Sequence, residues 1–165
     1  MFYGEVFKAL NKARVKYVVA GGVAVVLHGY RRFTDDLDLA VFLDKRNLQK
    51  LYEALYSVGY ITKVPVTREE LADKNKRNKW IKEKGAIVFS FIEKNPPFKL
   101  IDIFIKEQIS FKSLFKTRQI MNIDGAKIPV VSMKNLKIMK KMAGRDTDIV
   151  DLINLEEIER RINDK

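Results

Sequence analysis

The sequence contains no cysteine and a single histidine, His28, among its 165 residues. Without cysteine there is no disulfide framework and no thiolate metal site, and one histidine cannot build a multi-histidine zinc centre. Oxygen ligands remain, and they suit hard divalent cations such as Mg²⁺ and Mn²⁺ better than zinc or copper. His28 follows a run of apolar residues, so we expect it to be packed or hydrogen-bonded rather than to act as a ligand or base.

Long apolar runs are missing as well. The longest, Tyr17 to Leu27, has eleven residues, far fewer than the roughly 20 that cross a bilayer, so we expect no membrane contact. Residues 1–5 lack the basic, apolar and cleavable regions of a signal peptide, which favours a cytoplasmic location. With 47% hydrophobic residues and no low-complexity stretch or linker, the chain suits one domain over residues 1–165.

Acidic residues are the minority among the charged ones. The chain has 21 Asp and Glu against 32 Lys and Arg, a formal net charge of +11. Such a surplus attracts polyanions and favours nucleic acid as a partner, although a cysteine-free, Lys- and Glu-rich composition is also typical of heat-adapted proteins. Six cations lie between Lys74 and Lys84, around the only tryptophan, Trp80. This segment either binds phosphates or is a solvated helix face or loop.

Strand and helix patterns alternate along the chain, which predicts an α/β (α+β) fold. A capping box begins at Thr67, Asp124-Gly125 forms a tight hairpin turn, and Ser132 caps a helix. The predicted strands cover residues 16–20, 37–43, 86–92, 99–105, 120–123 and 126–131. The predicted helices cover residues 2–13, 22–30 and 48–58, a short segment after Thr67, a segment after Ser132, and a last segment from about residue 146. The apolar face of this last helix is predicted to consist of Ile149, Leu152, Ile153 and Leu155.

The predicted strand at residues 37–43 contains Asp38 and directly follows Asp36. Side chains alternate along a strand, so Asp36 and Asp38 share one face about 6.6 Å apart, with the neighbouring leucines on the other. Alone, such a pair is more often a solvated surface feature. Gly21-Gly22, at the start of the preceding helix, adds unpaired backbone N–H groups and a positive dipole end that suit a phosphate. The combination indicates a divalent cation beside a phosphate.

A third acid, Asp102, interrupts the apolar run from Leu100 to Ile105. A carboxylate flanked by isoleucine is costly to bury unless something neutralises it, and a metal ion would do so. The alternative is an edge strand on which Asp102 faces water.

These segments resemble the nucleotidyltransferase superfamily of the DNA polymerase beta type. Its pattern is a small or apolar residue, Gly, then Gly or Ser, a spacer of about ten residues, Asp-apolar-Asp-apolar, and a later acid between apolar residues. Gly29 to Asp38, and the later segment from Lys140 to Arg145 followed by Asp148 and Asp151, resemble a small prokaryotic subgroup of the toxin and abortive-infection type. The resemblance implies a mixed β-sheet flanked by helices, with a core over residues 1–131 and a helical segment over 132–165.

The resemblance also implies a chemistry. Asp36, Asp38 and Asp102 would hold two Mg²⁺ or Mn²⁺ ions about 3.5 to 4 Å apart, and Asp102 would help to deprotonate the nucleophile. Gly21 and Gly22, the second of which replaces a serine of many relatives, would present backbone donors to the β- and γ-phosphates of an NTP, with ATP favoured. Further nucleotide contacts are expected from Arg32, Thr34, Lys140 and Arg145, for which the alternative is an ordinary turn or helix surface.

The expected enzyme moves a nucleoside monophosphate from an NTP to an acceptor hydroxyl. Proteins that this chain resembles modify RNA 3′ ends, small molecules or proteins, often within toxin-antitoxin pairs, and the positive charge favours an RNA, particularly a tRNA end. The alternative is a non-catalytic RNA- or protein-binding module on the same fold. So short a chain also leaves open a homodimer that completes the site, or a cognate antitoxin or toxin as partner.

Overall fold

The computed structural model describes residues 3–164, in which seven strands form one sheet and eight helices alternate with them. The strands are β1 (Tyr17–Val19), β2 (Asp36–Val41), β3 (Tyr60–Thr62), β4 (Val88–Glu93), β5 (Leu100–Phe104), β6 (Gln119–Ile123) and β7 (Ala126–Val130). The helices are α1 (Gly4–Lys12), α2 (Gly21–Leu27), α3 (Lys45–Ser57), α4 (Arg68–Ala72), α5 (Lys74–Lys84), α6 (Phe111–Thr117), α7 (Met133–Ala143) and α8 (Asp146–Asn163).

The sheet is mixed, with the strand order β3-β4-β5-β2-β1-β7-β6. The pairs β2 with β5 and β1 with β7 run parallel, and the other neighbours run antiparallel. This confirms the predicted mixed sheet with flanking helices. Over the described residues, none of the helices combines the length and apolar character needed to span a membrane.

Burial on one face of the central strands fixes how they are turned. Leu37 and Leu39 of β2, like Ile101 and Ile103 of β5, are fully buried in one continuous core that also includes residues of α1 and α3. Burying each such side chain contributes about 1.5–3 kcal/mol. A slip of one residue would exchange these leucines for aspartates, so the core holds Asp36 and Asp38 on the opposite face.

Most predicted elements agree with the structure to within about two residues. The amino-terminal helix, predicted from residue 2, begins at Gly4; residue 2 itself lies outside the described residues. The helix predicted over 22–30 ends at Leu27, because Gly29 has a positive φ of 110°. As expected, His28 is hydrogen-bonded, with its Nε2 2.7 Å from the carbonyl oxygen of Val131. The three-residue strand β3 and the short helix α6 were not predicted, since neither is long enough to show a period.

The cationic segment from Lys74 to Lys84 is helix α5, and one side of it is packed. The buried Arg77 donates to the carbonyl oxygens of Leu71 at 2.6 Å and Leu43 at 3.0 Å. Trp80 stacks on Phe89, with 5.9 Å between ring centroids. The remaining cations face solvent, and their binding to nucleic acid stays a prediction.

The predicted apolar face of the last helix is wrong in part. Ile149 and Ile153 are 51% and 62% exposed, whereas Asp148, Asp151 and Leu155 are fully buried. The buried positions recur at intervals of three and four residues, so they form one stripe of α8. Ion pairs between the two aspartates and buried cations elsewhere in the chain, described below, determine which side of α8 faces inward.

Candidate active site

The three predicted acids meet on the open face of the sheet. Asp38 of β2 lies directly opposite Asp102 in the parallel pairing of β2 with β5, and Asp36 precedes it by two residues on the same face. One carboxylate oxygen from each residue lies within 4.8 Å of the other two. The structure therefore brings together the whole predicted acid triad, Asp36, Asp38 and Asp102, and the alternative of an isolated edge-strand acid does not apply.

Two hydroxyl groups orient the carboxylates. Ser90 of β4, the cross-strand neighbour of Asp102, donates from Oγ to Asp102 Oδ1 at 2.6 Å. Thr34 donates from Oγ1 to Asp36 Oδ1 at 3.3 Å. Sequence reasoning predicted Thr34 as a nucleotide contact but missed Ser90. A small polar residue between two buried phenylalanines of β4 was the available signal, because alternation places it on the face opposite the core.

The acid triad is an electrostatically uncompensated site. Burial raises the pKa of Asp38 to about 7, and the charges of Asp36 and Asp102 add to the increase, while the positive charges of Lys140 and Arg145 oppose it. A carboxylate with its pKa this high gains little from the surrounding protein when it ionises. A bound cation would supply the missing attraction.

Glycine at positions 21 and 22 is required by the close approach of α2 to the acids. Gly21 has a φ of +58°, and a Cβ placed there would lie 1.7 Å from Asp38 Oδ2. A Cβ on Gly22 would lie 2.3 Å from Thr34 Oγ1 and 2.8 Å from an Arg32 nitrogen. There is accordingly no space in this arrangement for a serine at position 22.

The three predicted nucleotide-binding cations are joined through two buried carboxylates of α8. Arg32 contacts Asp151 at 2.8 and 3.0 Å. Lys140, only 4% exposed, reaches both Asp148 and Asp151 at 2.7 Å. Arg145 contacts Asp148 at 2.8 Å, yet its side chain is 72% exposed. Burial alone would raise the pKa of Asp148, but hydrogen bonds from Arg145 and Lys140 lower it to about 2.

This network carries three positive and two negative charges, and it lies close enough for its lysine and one arginine to act on the Asp38 carboxylate. Because its ammonium is paired twice, Lys140 is held in place by α8, whereas Arg145 is paired with Asp148 alone and most of its side chain is exposed. Contacts of these residues with a nucleotide stay predictions. The roles of Asp148 and Asp151 were not predicted, although their spacing matches one helix face.

The mixed sheet, the glycine turn and the acid triad on two parallel strands fit a nucleotidyltransferase of the DNA polymerase beta type, and a matching family model shows that the chain is such a transferase. The particular family follows from residues 4–158, which match the family model described as aminoglycoside-2''-adenylyltransferase. The chain belongs to this family. No curated protein sequence matches it significantly.

Solved structures show the same fold at low identity. The lincosamide antibiotic adenylyltransferase LnuA, bound to lincomycin, is 19% identical, with 95% of this chain and 96% of that one covered and a TM-score of 0.62. ANT(2'')-Ia in complex with adenylyl-2''-tobramycin is 14% identical, with coverages of 94% and 90% and a TM-score of 0.58. An antigenic nucleotidyltransferase-like protein from Paracoccidioides brasiliensis is 19% identical, with coverages of 93% and 74% and a TM-score of 0.58.

Proposed function

We propose that this protein transfers a nucleoside monophosphate, with AMP from ATP favoured, to a hydroxyl group of a small molecule. The observation that carries the proposal is the acid triad beside the Gly21-Gly22 turn, with carboxylate oxygens within 4.8 Å of one another. A small acceptor is supported by the family description and by the antibiotics named with two structural relatives. An RNA end, which the net charge favours, stays a prediction.

The acid triad fits the divalent ions that the superfamily uses. All its donors are carboxylate oxygens, which Mg²⁺ and Mn²⁺ prefer, and mutual repulsion together with burial leaves Asp38 in need of a cation. Bound there, such ions polarise phosphate oxygens and neutralise the charge of the leaving group. Asp36, Asp38 and Asp102 are the residues that would hold them.

Side chains and backbone groups of this protein carry out the remaining steps of the transfer. Asp102, oriented by Ser90, accepts the proton of the acceptor hydroxyl while the acceptor oxygen forms a bond to the α-phosphorus. The bond from that phosphorus to the oxygen of the β-phosphate breaks, and pyrophosphate leaves. Backbone N–H groups of Gly21 and Gly22 hold the phosphates, and Arg145 counters the developing negative charge.

The non-catalytic alternative is set aside, because the family is one of transferases. Association with an antitoxin or toxin, completion of the site by a second copy, and the division of the chain at residue 131 stay predictions.

Turnover of nucleotides tests the proposal. Purified protein is incubated with each of the four NTPs and Mg²⁺, with and without tobramycin or lincomycin, and pyrophosphate release is measured. Asp36→Asn should reduce release about 10³-fold or more, because it removes a ligand charge from the acid triad. The matched control, Asp35→Asn, changes an adjacent acid outside the triad and should stay within threefold of wild type. Mn²⁺ binding that is equal in Asp36→Asn and wild type would contradict the proposal.

A further inference from the structure

A second concave site lies next to the acid triad, at the edge of the sheet. Its volume is about 370 Å³, within the range of small-molecule sites. The cavity exists because β3 ends early: Lys63 still donates from its backbone to the Ser90 carbonyl at 3.0 Å, but beyond this point the chain leaves the sheet through Pro65. The first half of β4 therefore has no neighbouring strand on this side.

One residue belongs to both sites. Ser90 lines the cavity, and its Oγ donates to Asp102 Oδ1 at 2.6 Å. Ser90 therefore links the cavity to the carboxylate to which we assign proton transfer. No residue of the acid triad lines the cavity, so the lining of the cavity determines what it binds.

The lining is apolar and aromatic. The indole of Trp80 stacks on Phe89 with 21° between the rings, and Val66, Val88 and Ile105 complete the wall. Flat hydrocarbon surfaces of this kind are buried favourably against planar groups. A molecule composed only of hydroxyl and amino groups would lose hydration there without recovering its hydrogen bonds.

The charges at the cavity have one sign. Lys63 and Lys84 line it, and no acidic residue does. Within residues 3–164, neither lysine has an ion-pair partner. A polycationic aminosugar would meet two like charges and no carboxylate in this cavity, and such an arrangement rejects a ligand.

We infer that this cavity binds the acceptor, and that it selects a hydroxyl-bearing compound with a planar apolar body and no net positive charge, rather than the aminosugar that the family description suggests. The inference deepens the proposed function, on which it rests for the role of Asp102. The binding preference is nevertheless measurable without any turnover.

The tryptophan gives a direct readout, because Trp80 is the only one in the chain and lies in the cavity wall. Its emission is titrated with 6-hydroxynaphthalene-2-sulfonate, a planar anionic compound with a hydroxyl group, and in parallel with tobramycin at the same ionic strength. The sulfonate should quench the emission saturably, whereas tobramycin should leave it unchanged. Free N-acetyltryptophanamide corrects for absorption by the probe.

Charge reversal locates the binding. The double variant Lys63→Glu/Lys84→Glu should weaken binding of the sulfonate at least tenfold. Lys127→Glu is the matched control: it makes the same change on the exposed side of β7, four strands away from β4, and should stay within twofold of wild type. Mn²⁺ added to the complex should broaden the proton resonances of the bound sulfonate, and Asp36→Asn should abolish this broadening.

Each contrary result overturns the inference. Absence of saturable quenching by the sulfonate, tighter binding of tobramycin, equal loss in the control variant, or binding without broadening by Mn²⁺ would each do so. Mn²⁺ binding to wild type and to Asp36→Asn, measured on the same preparations without the sulfonate, keeps the two proposals separate. Mn²⁺ binding that Asp36→Asn abolishes, without sulfonate binding, overturns the acceptor cavity alone, whereas sulfonate binding with equal Mn²⁺ binding in both proteins overturns the proposed transferase reaction alone.

Discussion

Replacing Gly21 by alanine should inactivate the enzyme while leaving it folded. The new methyl group would lie 2.8 Å from the Cβ of Asp38 and 1.7 Å from its Oδ2. Rotation of the Asp38 side chain can relieve the contact with the oxygen but not the one with Cβ. Ordinary contact begins at 3.4 Å, so α2 and β2 must separate by about 0.6 Å, and the carboxylate must move by more than about 1.5 Å.

Such a displacement of a catalytic ligand costs about 100-fold or more in rate. The positive φ of Gly21 adds about 1–2 kcal/mol of destabilisation for alanine. Gly125→Ala serves as the control, because Gly125 also has a positive φ, 78°, but a Cβ there meets nothing within 4 Å. It should lose comparable stability in urea unfolding and keep its rate of pyrophosphate release. If Gly21→Ala turned over NTP within threefold of Gly125→Ala, the close approach would not be a requirement for activity.

Three further changes test the electrostatics of the site. Between pH 3.8 and about 7, folded Asp38 binds more protons than the unfolded residue. The free energy of unfolding without metal should therefore fall as pH rises through this window, and Asp38→Asn should remove at most about 4 kcal/mol of that fall. Identical pH slopes of wild type and variant in urea unfolding with EDTA would refute this. Lys140→Met should cost about 3–5 kcal/mol, because it removes the cation shared by two buried carboxylates and leaves each with one arginine partner. The exposed neighbour variant Lys141→Met should stay within about 0.5 kcal/mol, as urea unfolding will show. Ser90→Ala should slow nucleotide turnover about tenfold through the freed Asp102 carboxylate, with an unchanged midpoint of unfolding; an unchanged rate would count against the orienting role.

Much of the site was predictable from the sequence, because it depends on short-range rules. Alternation along β2 determines that Asp36 and Asp38 share a face, and an acid between isoleucines indicated that Asp102 is drawn to the same place. The turn at Asp124-Gly125 and the caps at Thr67 and Ser132 were also predicted correctly, since each is a local hydrogen-bonding pattern. These features need no knowledge of distant residues.

Other features depend on which elements meet in space. Helical period alone favoured Ile149 and Ile153 as the inner face of α8, but two aspartates take that place because Arg32 and Lys140, more than a hundred residues apart in sequence, converge on them. Ser90 reaches Asp102 only through the antiparallel register of β4 with β5. The cavity beside it arises where β3 stops.

The sequence by itself determined that Asp36 and Asp38 share a face of β2, because this needs only the alternation of side chains and a buried core, and its resemblance to nucleotidyltransferases indicated the class of reaction. The tertiary structure alone decided how Lys140 is held, why Gly22 has no room for a side chain, and where the apolar cavity next to Ser90 lies. Those properties come from ion pairs and packing between segments that are distant in the chain. No local sequence pattern indicates which distant segments meet, so these contacts could not be predicted.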